Sequence, residues 1–196
     1  MMNIDASTFL TSLAALSDLL EEADAEPQHL VLVGGSALLA QGLISRTTRD
    51  VDILAIVDPE DGLLDPRPLS ESLKLAAAQV AVELKLDPDW LNTGPADQVS
   101  AGLPEGFSSR LTKKEFGPVL TIYLPARFDL IHLKLFAVVD QGPGRHSHDL
   151  KTLAPTEEEM LAASRWVLTQ DASEVFPGLV HNTLKALGYG DLVARL

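Results

Sequence analysis

Two apolar runs joined through a glycine pair constrain this chain more than any other feature. Leu30-Val31-Leu32-Val33 reads as a buried strand, Gly34-Gly35 follows it, and Ser36-Ala37-Leu38-Leu39-Ala40-Gln41 has helix-forming composition. A second run, Val51 to Val57, is again rich in Val, Ile and Leu, and it opens with Asp50-Val51-Asp52. Side chains alternate along a strand, so residues two apart project from one face. The spacing therefore predicts two carboxylates side by side, downstream of a strand-to-helix turn. Adjacent anions repel, and a divalent cation between them relieves the repulsion. The lack of a Cβ at Gly34 and Gly35 lets a phosphate approach backbone N–H groups, and the helix start beyond them favours anions. Ser36 is placed either to cap that helix or to offer its hydroxyl to a phosphate. Each tripeptide is weak evidence alone; their order is specific.

This order resembles the nucleotidyltransferase superfamily built on the polymerase-beta-like palm, whose signature is Gly-Gly/Ser followed by Asp-hydrophobic-Asp. Within it, the chain is similar to small nucleotidyltransferase-like families related to the AbiEii and MenT toxins. Those families carry Arg-x-Thr-x-Asp-hydrophobic-Asp, which stands here as Arg46-Thr47-Thr48-Arg49-Asp50-Val51-Asp52. Their downstream Lys-Leu-x-Ala is matched by Lys134-Leu135-Phe136-Ala137, and a later Asp-Leu by Asp149-Leu150. The resemblance runs from Leu30 to Pro155 and continues around Ala163-Ser164-Arg165-Trp166.

The resemblance implies transfer of a nucleoside monophosphate from an NTP to an acceptor hydroxyl on RNA, protein or a small molecule. Asp50 and Asp52 would be the catalytic acids and the ligands of Mg2+ or Mn2+. Lys134 would reach the triphosphate, with Asp149 orienting it. Gly34, Gly35, Ser36, Arg46 and Thr48 would surround the substrate, and Arg110, after the loop Gly102-Leu103-Pro104-Glu105-Gly106, is a further candidate for ligand contact. The toxin kinship raises tRNA as an acceptor and a cognate antitoxin as a partner. One departure matters. Many superfamily members supply a third carboxylate from a later strand, whereas Val119 to Leu124 holds no acid, and Asp129 follows shortly after. That departure opens an alternative, a catalytically weak nucleotide-binding regulatory module.

Several of these residues have plainer readings. Lys134 lies in an apolar helix, where a lysine snorkels, pairs with an anion or reaches a ligand. Asp149 is either a site residue or a helix cap or surface carboxylate. Arg46 and Arg49 either contact substrate or neutralise the aspartates. His146 and His148 read as members of a solvated loop after Gln141-Gly142-Pro143-Gly144, without enough neighbours for a metal site. Trp90 reads as core.

Charge limits the partners. The formal net charge is -13, which opposes long-range attraction to nucleic acid, a process driven by Lys and Arg. The central segment nevertheless gathers Arg46, Arg49, Arg110, Lys113, Lys114, Arg127, Lys134 and Arg145. A basic cleft in an acidic body suits a nucleotide better than a long duplex. There are no cysteines, so no disulfide framework or thiolate metal site arises. No apolar run is long enough to span a bilayer, and the start lacks the features of a signal peptide. A cytoplasmic protein without membrane contact is the expectation.

Periodicity predicts helices over Asp5 to Glu22, around Leu73 to Leu84, over Asp129 to Val139, from Thr156 through Trp166, and from Val175 to Leu187. Thr156 and Glu159 have capping-box spacing. Residues 58–62 and 65–68 read as loop, 87–106 as a long irregular stretch, Ser109 to Lys114 as a short strand or turn, and Val119 to Leu124 as a strand. The expected fold class is α/β (α+β type): a small mixed sheet packed with helices, followed by C-terminal helices. The expected organisation is a nucleotidyltransferase-like core over 1–150 and a helical extension over 151–196.

Overall fold

The computed structural model describes residues 3–196. The chain divides into two compact units, Met1–Pro125 and Ala126–Leu196. In the first, helix α1 (Ala6–Glu22) starts at Asp5, whose carboxylate accepts the Thr8 N–H at 2.7 Å. Leu13, Leu16 and Leu20 of the leucine-spaced face are buried, but Leu10, which the spacing also puts on that face, is exposed and Phe9 takes its place in the core. Strand β1 (Gln28–Val33) leads into α2 (Gly34–Ala40), and β2 (Val51–Asp58) follows. Then come β3 (Gly62–Leu64), α3 (Glu71–Glu83), β4 (Leu91–Asn92), α4 (Asp97–Ala101), β5 (Thr112–Phe116) and β6 (Leu120–Leu124).

All six strands form one mixed sheet in the order β3-β2-β1-β6-β5, with β4 also pairing with β2. The β1–β6 and β2–β4 pairs are parallel and the others antiparallel. Leu30 to Val33 and Ile53 to Ala55 are buried at successive positions, because the two central strands are covered on both faces. Mixed α/β architecture is thus as the sequence predicts. A register shift between Val31 and Leu32 against β2 marks an irregularity just before the glycine pair.

Two stretches depart from expectation. Strand β3 fills the gap between the predicted loops 58–62 and 65–68 and takes in Gly62, folded back on β2 by a turn in which the Asp58 carboxylate accepts the Glu60 and Asp61 N–H groups. The predicted irregular stretch over 87–106 contains β4, a 3-10 turn at Gly94–Ala96 and α4. Elements of two to five residues leave no periodic signal, so only tertiary pairing reveals them. Trp90 is fully buried and donates Nε1–H to Ala77 O at 2.9 Å, which anchors the start of β4.

The second unit is helical: α5 (Arg127–Gln141), α6 (Arg145–Thr152), α7 (Glu157–Val167), α8 (Phe176–Leu187) and a 3-10 segment, Gly190–Arg195. Helix α5 packs against α6, α7 and α8. Its buried residues include Leu130, Ile131, Leu135, Val138 and Val139, which is why its sequence is apolar nearly all round. The Thr156 and Glu159 capping box opens α7 as predicted, and Gly188 at φ 91° closes α8 in the left-handed conformation. His146 and His148 correct the sequence reading, since they lie on α6 instead of in a loop. Residues two apart on a helix face different ways, so these histidines do not converge on one ion. Among the described residues, no helix is long and apolar enough to cross a membrane.

Candidate functional site

The glycine pair does not precede the helix; it opens it. β1 ends at Val33 and α2 starts at Gly34, which makes the reversal itself with φ at 72°. A Cβ on Gly34 would overlap Asp52 Oδ2, so the carboxylate lies directly over this glycine. The antiparallel pairing of Val33 with Asp52 explains the approach, because it sets Asp52 beside the last residue of β1. A Cβ on Gly35 would stand 3.1 Å from Thr48 Oγ1 and 3.2 Å from Arg46 Nη2. Thr48 Oγ1 in turn donates to Asp50 Oδ1 at 3.1 Å. The structure therefore gathers Arg46, Thr48, Asp50 and Asp52 along one glycine pair.

Burial fits this arrangement. Asp50, Asp52, Gly34 and Arg46 are half-buried, while Thr48 and Val51 are buried beneath them. Thr48 is pinned by a two-hydrogen-bond bridge to Ile4, with N–H to O distances of 2.7 and 2.9 Å in the two directions. Arg46 also donates Nη1–H to Thr47 O at 2.9 Å, and Arg49 is exposed.

Ser36 corrects the sequence reading. It is fully buried and donates its hydroxyl to Val33 O at 3.0 Å; Val33, not Ser36, holds the cap position of α2, and no side chain caps it. Because the helix begins two residues earlier than the composition implies, the Ser36 hydroxyl falls inside its first turn and bonds back to the strand.

Asn92 is a member of this group that the sequence reading misses. It pairs in parallel register with Asp52, donates Nδ2–H to Asp52 Oδ1 at 3.2 Å, and accepts the Gly94 N–H on its Oδ1 at 2.8 Å. The available signal was weak, a single amide in a stretch with no strand pattern. Arg110 folds onto its own loop: Nη2–H donates to Glu105 O at 2.7 Å, and a Cβ on Gly106 would stand 2.6 Å from Nη1.

In the second unit, Lys134 on α5 and Asp149 on α6 meet at 2.8 Å, with side-chain exposures of 5% and 0%. Asp149 is thus neither a surface carboxylate nor a cap; it is the buried partner of the lysine. Asp129 is fully buried in the first turn of α5, and His132 beside it contacts Phe128 O at 2.8 Å through Nδ1.

Hard divalent cations take carboxylate oxygens and complete their shells with water or substrate phosphate. Asp50 and Asp52 fit such an ion: each has one oxygen oriented by a neutral donor, and Asp52 fills the cradle that the missing Gly34 side chain leaves open. Among the described residues, no group of three or more His, Cys, Asp or Glu side chains is arranged to hold a metal, so the pair would work as two acids.

Comparison with curated proteins and with solved structures gave no significant match. A family model does match residues 9–143, well over half of the chain, and this span takes in the glycine pair, both aspartates, Asn92 and Lys134. With strand, glycine reversal and paired acids arranged as above, the chain belongs to the family described as "Nucleotidyltransferase of unknown function (DUF6036)".

Proposed function

We propose that the first unit carries a Mg2+- or Mn2+-dependent nucleotidyl transfer site, in which an NTP lays its phosphates along Gly34 and Gly35. The observation that carries this reading is the contact of one glycine pair with both acids, directly at Asp52 and through Thr48 at Asp50. A cation bound to Asp50 and Asp52 would neutralise phosphate charge and orient the α-phosphate.

The chain's own residues do the rest. Gly34 and Gly35 admit phosphate to within reach of backbone N–H groups, as no Cβ stands between. Arg46 brings a guanidinium to the same place, where its planar fork suits phosphate oxygens. Thr48 and Asn92 hold the two carboxylates in position. Ser36 contributes through its backbone N–H, its hydroxyl being engaged with Val33. In the reaction the acceptor oxygen bonds to the α-phosphorus as the bond to the bridging oxygen breaks. The acceptor proton is released, and pyrophosphate leaves. Catalysis of this kind rests on positioning and charge stabilisation.

The acceptor is a hydroxyl of RNA, protein or a small molecule. The resemblance to the AbiEii and MenT toxin families would favour tRNA and a cognate antitoxin; the net charge of -13 works against extended RNA contacts. A second reading is a nucleotide-binding regulatory module with little turnover, favoured by the two-acid site. Purified protein incubated with each α-32P-labelled NTP, Mg2+ or Mn2+, and total cellular RNA or protein separates the two. Transfer of label to an acceptor, reduced at least about a hundredfold in Asp50→Ala that is still folded at the assay temperature, supports the enzyme. Binding of NTP without transfer supports the module, and full transfer by Asp50→Ala removes the mechanism.

A further inference from the structure

Strand β4 is only two residues long, yet it sets Asn92 alongside Asp52 in a parallel pair. The amide is held in one orientation. Its Oδ1 accepts the Gly94 N–H at 2.8 Å, so Nδ2 turns to Asp52 and donates to Oδ1 at 3.2 Å. Exchanging the two amide atoms would face N–H against N–H and oxygen against oxygen, which the geometry forbids. The other oxygen of the same carboxylate, Oδ2, lies over Gly34. One side chain therefore reads both the turn that follows β4 and the acid on the neighbouring strand.

We propose that Asn92 is a positioning residue for Asp52, pinning one carboxylate oxygen so that the other is presented at the glycine reversal, and holding the site to two negative charges and one divalent cation. This rests on the reading of Asp50 and Asp52 as cation ligands. An amide suits the task because it donates to a carboxylate without cancelling or adding charge. A carboxylate in the same register would instead stand against Asp52 as a like charge, tolerated only with a cation between the two.

The oxygen and the nitrogen of the amide separate a structural role from a positioning one. Asn92→Asp keeps an oxygen for the Gly94 N–H, so the turn survives, but it replaces the donor to Asp52 with an anion. Asn92→Ala removes both. Mn2+ alone is the probe, followed by loss of the free-ion electron paramagnetic resonance signal and by thermal unfolding with and without the metal. The wild-type protein is expected to take up one Mn2+ per chain. Asn92→Ala is expected to bind it about tenfold more weakly, the usual effect of losing a partner that orients a ligand. Asn92→Asp is expected to melt lower than wild type without metal, and to bind Mn2+ about tenfold more tightly because ligand charge raises affinity for hard cations.

Wild-type Mn2+ affinity and an unchanged metal-free melting temperature in Asn92→Asp overturn the proposal, leaving Asn92 as a turn residue. Should Asn92→Ala fail to fold, Asn92→Asp decides alone. Uptake by wild type with both variants unaltered removes the role of Asn92 and spares the functional reading; no uptake by wild type removes both.

Discussion

Asp50 and Asp52, at the glycine reversal of the first unit, are half-buried and accept hydrogen bonds from the neutral donors Thr48 and Asn92. Asp149, in the second unit, is completely buried and meets the Lys134 ammonium at 2.8 Å. Half-burial keeps the first two carboxylates within reach of solvent, whereas full burial seals Asp149 and its ammonium partner from water and ions. The first arrangement stays accessible; the second joins α5 to α6 through a buried ion pair, at the cost of desolvating both partners. Motif matching puts Lys134 and Asp149 on the same footing as the paired aspartates, but their surroundings are of a different kind.

The largest effect expected from this contrast is on stability. Removing one partner of the buried pair, by Asp149→Ala or Lys134→Ala, takes the opposite charge away from the other and should cost about 3–5 kcal/mol in denaturant unfolding. Replacing both, as Lys134→Met with Asp149→Leu, should recover most of that loss, because apolar side chains of similar volume need no partner. Asp50→Ala removes a half-buried carboxylate that accepts from the Thr48 hydroxyl and should cost less, about 1 kcal/mol. Equal losses at Asp50 and Asp149 would erase the distinction between the two regions.

A smaller effect sharpens the first half of the comparison. Gly34 and Gly188 both hold positive φ, 72° and 91°, but a Cβ would overlap Asp52 Oδ2 at the first and meet nothing within 4 Å at the second. Alanine at either position pays the left-handed penalty of about 1–2 kcal/mol. Gly34→Ala must in addition displace the Asp52 carboxylate, so it alone should lose Mn2+ binding measured on the folded protein. Matched Mn2+ affinities in the two variants would show that the closeness of Gly34 and Asp52 is incidental.

Much of this was legible in the residues. Central strands buried on both faces leave unbroken Val, Ile and Leu runs, so β1 and β2 announce themselves, with Asp52 at the head of β2 and Asp50 just before its first residue, Val51. Helix starts carry chemical signatures, as at Asp5, Ser70 and Thr156. What was not legible depends on partners distant in sequence. Asn92 has meaning only through the parallel pairing of β4 with β2, and Ile4 only through its bridge to Thr48. Ser36, expected either to cap the helix or to offer its hydroxyl to a phosphate, lies two residues inside the helix and bonds back to Val33 O. Asp149 could not be told from a surface acid, because the burial of α6 against α5 is a packing fact.

Glu159 supplies an intermediate case between the two kinds of acid. It is paired like Asp149, through Arg127 Nη1 at 2.5 Å, yet its side chain keeps 22% exposure and that of Arg127 37%. The Arg127 guanidinium holds the Glu159 carboxyl below its ordinary value of 4.5, outweighing the opposing push from burial, and the Thr156 N–H of the capping box adds a smaller lowering. A carboxyl depressed in the folded state binds fewer protons there than in the unfolded chain, so stability rises with pH through this range. Its contribution should be complete above pH 4.5 and fade as pH falls through the lowered folded value. Solvent access limits the size to about 1 kcal/mol. Melting temperatures of wild type and Glu159→Gln should thus differ at neutral pH and converge on acidification. An unchanged gap across that range would mean that Glu159 acts through its cap geometry, which glutamine keeps in part, and that partial exposure alone is enough to remove the electrostatic character seen at Asp149.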